Sequence, residues 1–331
     1  MNSRGAYIIR RVLLLIPTLL AISVLVFIII QLPPGDYATN YIAVLAASNE
    51  VVDQNTAADL RARFGLDQPL IVQYAKWMYN IVTRGDFGIS FEWQQPVSDL
   101  IWERMLLTLI LTLSTLIATW AIALPIGVYS AVRKYSIGDY FFTMLAFAGL
   151  AIPSFLLALV LMYVAAIELG QDVGGLFSAE YQNAPWSIGK SLDLLHHLWI
   201  PVIILAVSGT ASLVRIMRAN MLDELGKPYV TTARAKGLSE FNLLVKYPVR
   251  LALNPFISTI AWLLPNLVSG SVIVAIVLNL PTAAPLLLES LKSQDMYLAG
   301  AFILLIMALT LIGSLVSDIL LALVDPRIRL E

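Results

Sequence analysis

Val12 to Gly35 reads VLLLIPTLLAISVLVFIIIQLPPG, 24 residues without one Asp, Glu, Lys or Arg. A helix rises about 1.5 Å per residue, so about 20 apolar residues cross the ~30 Å of hydrocarbon in a bilayer. Five more uncharged stretches follow, at 105–132, 140–167, 194–214, 251–288 and 296–317. The chain is 59% hydrophobic and 13% charged over 331 residues, against roughly 25% charged in soluble domains. An all-α integral membrane protein with six transmembrane helices is expected. The stretch 251–288 is too long for one crossing, and Pro281 and Pro285 are expected to end its helix near Leu280.

Arg4, Arg10 and Arg11 precede the first stretch as they would in a signal peptide. Its apolar core, however, runs to about Leu32, past the roughly 7–15 residues of a signal core. Pro33-Pro34-Gly35-Asp36 stands where small residues would mark cleavage, so a retained helix is expected. Six crossings place both termini on one side. With that side cytoplasmic, 14 of the 21 Lys and Arg lie inside and 15 of the 22 acids outside, as the positive-inside rule requires. The spans then fall at about 8–32, 105–131, 140–167, 198–217, 256–280 and 299–323. An external segment occupies 33–103, a second external loop 168–196, and a long cytoplasmic loop 218–254. No repeat or low-complexity linker divides the chain, so 1–331 reads as one membrane domain.

The external segment carries structure signals. Thr56 to Arg63 predicts a short helix, Gln68-Pro69 opens a second one through Ile81, and Arg84-Gly85-Asp86-Phe87-Gly88 predicts a turn. Several chemistries are excluded. The chain has no cysteine, hence no disulfide, iron–sulfur cluster or thiolate zinc site. A net charge of −1 gives no sign of a nucleic-acid partner. Gly189-Lys190-Ser191 imitates the end of a phosphate-binding loop, but the first glycine of that motif would fall on Ala184 and no strand precedes it. The adjacent His196 and His197 lack the i, i+4 spacing of a helical metal pair, no acid is expected beside them at that spacing, and they read as interfacial packing. Asp318, within the last span, is expected to bond to groups of the inner loop. Neither a nucleophile triad nor a paired-carboxylate site is placed for catalysis, so a non-catalytic chain is expected, with no metal or cofactor of its own.

The basic inner loop carries the functional signal. Lys227-Pro228 suits a helix start, Tyr229 to Lys236 continues it, and Gly237 suits a left-handed C-terminal cap. Ser239 would cap a second short helix with Phe241, Leu244 and Val245 along one side. Two helices about a glycine turn form a lever, and small Thr231, Thr232 and Ala233 would let it enter a cleft in a peripheral partner. The alternative is a basic loop held on lipid headgroups. On physical grounds both readings stand. In the spans, Trp120, Ser154, Asn266, Ser269, Ser271 and Asn279 are candidates for lining a pathway or for joining helices.

Thr231-Thr232-Ala233, three residues and then Gly237 resembles the EAA-x-x-x-G loop of permease subunits of bacterial ABC importers. The run Tyr229, Arg234, Ala235, Lys236, Gly237, Leu238, Ser239, Glu240 resembles the dipeptide/oligopeptide permeases of first-permease type. Further likeness lies in Leu15-Ile16-Pro17-Thr18, Gly65-Leu66-Asp67-Gln68-Pro69, Gly85-Asp86-Phe87-Gly88, Pro125-Ile126-Gly127-Val128, Ile152-Pro153-Ser154-Phe155 and Asp325-Pro326-Arg327-Ile328-Arg329-Leu330. The family's EAA glutamate is Thr231 here, and its acidic fifth-helix and Gly-Leu-Pro-Gly positions read Val274-Ala275-Ile276 and Asn279-Leu280-Pro281-Thr282-Ala283. The resemblance implies an inner-membrane subunit forming half of a translocation pathway for oligopeptides, or in related branches oligosaccharides. It implies a second homologous permease, two cytoplasmic ATPase subunits holding ATP and magnesium, an extracytoplasmic binding protein and a lipid surround. The competing class is a self-sufficient channel or secondary transporter.

Overall fold

The computed structural model describes residues 3–32, 35–47, 58–59, 61–62, 65–168, 170, 174–260 and 272–324. Thirteen helices are named among them: α1 Ser3–Ile30, α2 Tyr37–Ala47, α3 Leu70–Arg84, α4 Val97–Val132, α5 Ile137–Ala151, α6 Ser154–Glu168, α7 Ile188–Leu225, α8 Pro228–Ala235, α9 Glu240–Lys246, α10 Pro248–Ser258, α11 Val272–Val277, α12 Ala283–Lys292 and α13 Met296–Val324. Four are long and apolar enough to cross a membrane: Arg10–Ile30 of α1, α4, α7 and Met296–Leu321 of α13. At 36 and 38 residues, α4 and α7 reach roughly 54 and 57 Å and so extend past the hydrocarbon. The expected fifth span, 256–280, is seen at its two ends as α10 and α11; positions 261–271 lie outside the described residues.

The expected single helix over 140–167 is broken, with α5 and α6 meeting at 100°. The cause is local. Pro153 has no N–H to donate, and a residue before proline is driven out of the α region. Ile152 accordingly sits at φ −82°, ψ 120°, and α6 restarts on the Pro153 carbonyl, which accepts from the Leu156 and Leu157 amides.

The chain divides into two compact units. In the first (1–11, 109–281 and 310–331), Ala123 and Ala131 of α4 meet Leu213, Met217 and Met221 of α7 and Ala252 and Phe256 of α10. A Cβ on Gly127 would lie 2.6 Å from Met217 Cβ, so the helix approach there depends on glycine. Buried Asp139 at the head of α5 accepts from Arg218 Nε (2.9 Å) and Nη2 (2.8 Å) and from the Tyr135 amide (2.9 Å), fastening the short 133–136 loop to α7. Asp318 pairs with Arg11 at 3.2 Å, so its partner is the N-terminal helix and not the inner loop.

The second unit (12–108 and 282–309) is built on aromatic rings. Phe27, Tyr37, Trp77 and Phe91 form one buried cluster, and Trp77 donates its indole N–H to the Phe87 carbonyl. α3 runs to Arg84, three residues beyond the expected end, and stops at Gly85 in the left-handed conformation (φ 66°), as the turn signal requires. Buried Asp295 accepts from the Ser90 hydroxyl, the Phe91 and Glu92 amides and the Leu298 amide, capping α13 while holding the 90–92 turn. Burial pushes its carboxyl up, against the pull of those donors. Of the short helix expected over 56–63, only parts lie within the described residues.

Candidate functional site

The stretch 227–247 folds upon itself through three devices. Pro228 opens α8 at a first-turn position where its missing N–H is not needed. Gly237 closes it at φ +79°, the Leu238 amide reaching back to the Ala233 carbonyl (3.4 Å) and the Gly237 amide to that of Arg234 (3.0 Å). These are the two hydrogen bonds of a Schellman end, which also brings the apolar residue after the glycine onto the helix. Leu238 does pack there, against Val230, Ala233 and Leu243. Tyr229 and Tyr247 complete this small core, so the lever carries its own interior.

Side-chain bonds fix both ends. Tyr229 Oη donates to Glu224 Oε2 (2.6 Å) and Lys227 pairs with the other oxygen of Glu224, tying α8 to the end of α7. Arg234 grips Glu240 with two bonds, 2.6 and 3.1 Å, across the glycine turn. That guanidinium holds the Glu240 carboxyl below its usual range. The pair is exposed and sets geometry more than stability.

The burial pattern sorts the expected site. Thr231, Thr232, Arg234, Ala235, Lys236, Gly237, Ser239 and Glu240 are exposed. Ala233 is only 7% exposed and turned into the lever, so its small size serves the α8–α9 contact and not an outside cleft. Ser239 stands at the start of α9 but makes no side-chain capping bond. The structure puts Leu243 in the small core, and not the expected common side of Phe241, Leu244 and Val245: Leu243 is buried, while Phe241 is 75% and Val245 53% exposed. The seven-residue α9 lies between α8 and α10, and its one inward position was not legible from spacing. Phe241 is therefore a candidate contact residue beside the expected ones.

The pathway candidates scatter. Trp120 is packed edge-on against Phe256 (4.8 Å), its buried indole nitrogen without a hydrogen-bond partner among the described residues. Ser154 begins α6, half-buried. Asn279 has a conformational reason to be polar: at φ +50° it ends α11, with Leu280 N bonded to the Ala275 carbonyl (2.7 Å). Asn266, Ser269 and Ser271 lie outside the described residues, as does the tail motif 325–330.

The decoys resolve structurally. Lys190 is buried between the Phe177 and Trp186 rings and donates to the Ala184 carbonyl at 2.8 Å, inside a helix start capped by Ser187. His197 faces Asp193 one turn earlier, at 3.5 Å, so an acid does stand at the spacing where none was expected. Among the described residues no group of three or more His, Asp or Glu is gathered for a metal.

These features define a polytopic helical membrane protein with a folded lever between two of its helices. Residues 123–330 match the family described as "Binding-protein-dependent transport system inner membrane component", and residues 5–112 match the N-terminal part described for the same components. The chain belongs to this family and is a permease subunit of a binding-protein-dependent ABC importer, multi-pass in the inner membrane. It is 39% identical over 327 residues to the oligopeptide transport system permease protein AppB of Bacillus subtilis, covering 98% of this chain and 99% of that one. It is 35% identical to a putative peptide permease protein of Brucella ovis and 33% identical to the glutathione transport system permease protein GsiC of Escherichia coli K12, with 98% of each chain covered.

Proposed function

We propose that the chain forms half of a pathway for oligopeptides, and that α8 and α9 receive the motion of two cytoplasmic ATPase subunits. The observation that carries the lever is its own small core: a segment packed on Val230, Ala233 and Leu243 moves as a body and passes displacement to α7 and α10. The names of the relatives support a peptide cargo over an oligosaccharide. The second half of the pathway would be a homologous permease, and an extracytoplasmic binding protein would deliver cargo to the external segment. ATP and magnesium belong to the ATPase subunits. Both termini and the lever lie in the cytoplasm in this reading, supported by the excess of Lys and Arg there. Nucleotide shifts the balance between inward- and outward-open states only as far as it binds one of them better.

The test is gentle purification from native membranes followed by mass spectrometry. A second permease and ATPase subunits are expected with the wild-type chain. Gly237→Asp is expected to insert normally and lose the ATPases, because a Cβ at Gly237 meets nothing within 4 Å and the change acts on the exposed surface and on the left-handed turn. Normal ATPase recruitment by that variant would sink the lever.

A further inference from the structure

At the base of the lever an open trough of about 460 Å³ lies within the first unit, walled by α4, α9 and α10. Val128, Val132, Leu244, Val245 and Val249 make it aliphatic, and Arg133 is the cation in its lining. Val132 and Val245 remain exposed, so the described residues leave this apolar surface open.

The charge around it is one-sided. Arg133, Lys134 and Lys246 form no ion pair among the described residues; Lys134 and Lys246 lie against the rings of Tyr135 and Tyr247. The nearby acids are committed elsewhere, Asp139 to Arg218 and Glu240 to Arg234. An aliphatic trough with unpaired cations beside it is complementary to a molecule with a hydrocarbon body and one anionic end. A partner helix fits less well. At about 10 Å across and 5.4 Å pitch it fills roughly 420 Å³ per turn, so the trough would grip little more than one turn.

We propose that this trough binds one anionic phospholipid of the inner leaflet, with an acyl chain along α4, α9 and α10 and the phosphate on Arg133. Because Leu244 and Val245 belong to the lever, the occupant sets where the lever rests. The assignment rests on the cytoplasmic placement of 218–254 proposed above. Labelling of Thr232→Cys by an impermeant maleimide in sealed vesicles checks that placement separately.

The experiment is native mass spectrometry of the purified full chain titrated with dioleoylphosphatidylglycerol or dioleoylphosphatidylcholine. Phosphatidylglycerol is expected to be retained in preference, and Arg133→Gln and Lys246→Gln are each expected to weaken it about fivefold, the effect of one cation at an anionic surface. The chain has no cysteine, so Val245→Cys gives a single thiol whose maleimide labelling should slow with phosphatidylglycerol and not with phosphatidylcholine. Equal retention of the two lipids, or undiminished retention in both charge variants, would overturn the site. So would cross-linking of Val245→Cys to a second permease in native membranes.

Discussion

At Gly127 a single hydrogen decides how closely α4 and α7 approach. A Cβ there would stand 2.6 Å from Met217 Cβ and 3.2 Å from the Val214 carbonyl oxygen, neither of which is the free end of a flexible chain. Gly127→Val is therefore expected to lower stability by about 1–3 kcal/mol, read as a fall in the thermal midpoint in detergent. Gly237→Ala meets open space and bears only the left-handed backbone cost of about 1–2 kcal/mol, so the two variants separate steric from conformational need. A different residue-scale effect sits at Asp36. Burial pushes its carboxyl up, but Arg61, at 2.6 Å, and the hydroxyl and amide of Thr39 overcome this and hold it at about 2. A carboxyl depressed on folding stabilises above its ordinary value and loses that contribution as pH falls through the folded one. Between about pH 4 and 2 the wild-type chain should lose up to about 2 kcal/mol that Asp36→Asn never had. Thermal midpoints against pH for the two chains measure this; parallel curves would dismiss the pair.

Among the elements, the lever was the most legible in sequence, because each of its devices is local. Pro228 opens, Gly237 closes, and the Schellman bonds follow within six residues. Other features depend on residues far away. An Asp before an apolar run signals a helix cap, so the capping half of Asp295 was readable; its grip on Ser90, 205 positions earlier, was not. Leu243 escapes the sequence for another reason: α9 is two turns long, too short for periodicity to choose a face. Its burial gives an element-scale expectation. Leu243→Ala should leave α4 and α7 intact but loosen α8 against α9, exposing Lys236 to trypsin several-fold faster than in the wild-type chain. Unchanged cleavage at Lys236 would mean that the small core does not hold the lever.

For the whole molecule, charge bias predicts sidedness more firmly than any single residue does. In sealed right-side-out vesicles a cysteine at Val82 is expected to react with an impermeant maleimide, and one at Thr232 only after permeabilisation; both positions are exposed and the background chain has no thiol. The opposite pattern would reverse the topology. The break at Pro153 bears on how such a chain is made. α5 and α6 have 15 residues each, about 22 Å apiece, and neither alone matches the ~30 Å of hydrocarbon. Both pack against α7, which emerges from the ribosome later. Residues 137–168 thus have no settled place in the bilayer until α7 arrives, and during synthesis the 38 residues from Ile188 to Leu225 act as the scaffold that seats an incomplete crossing already translated.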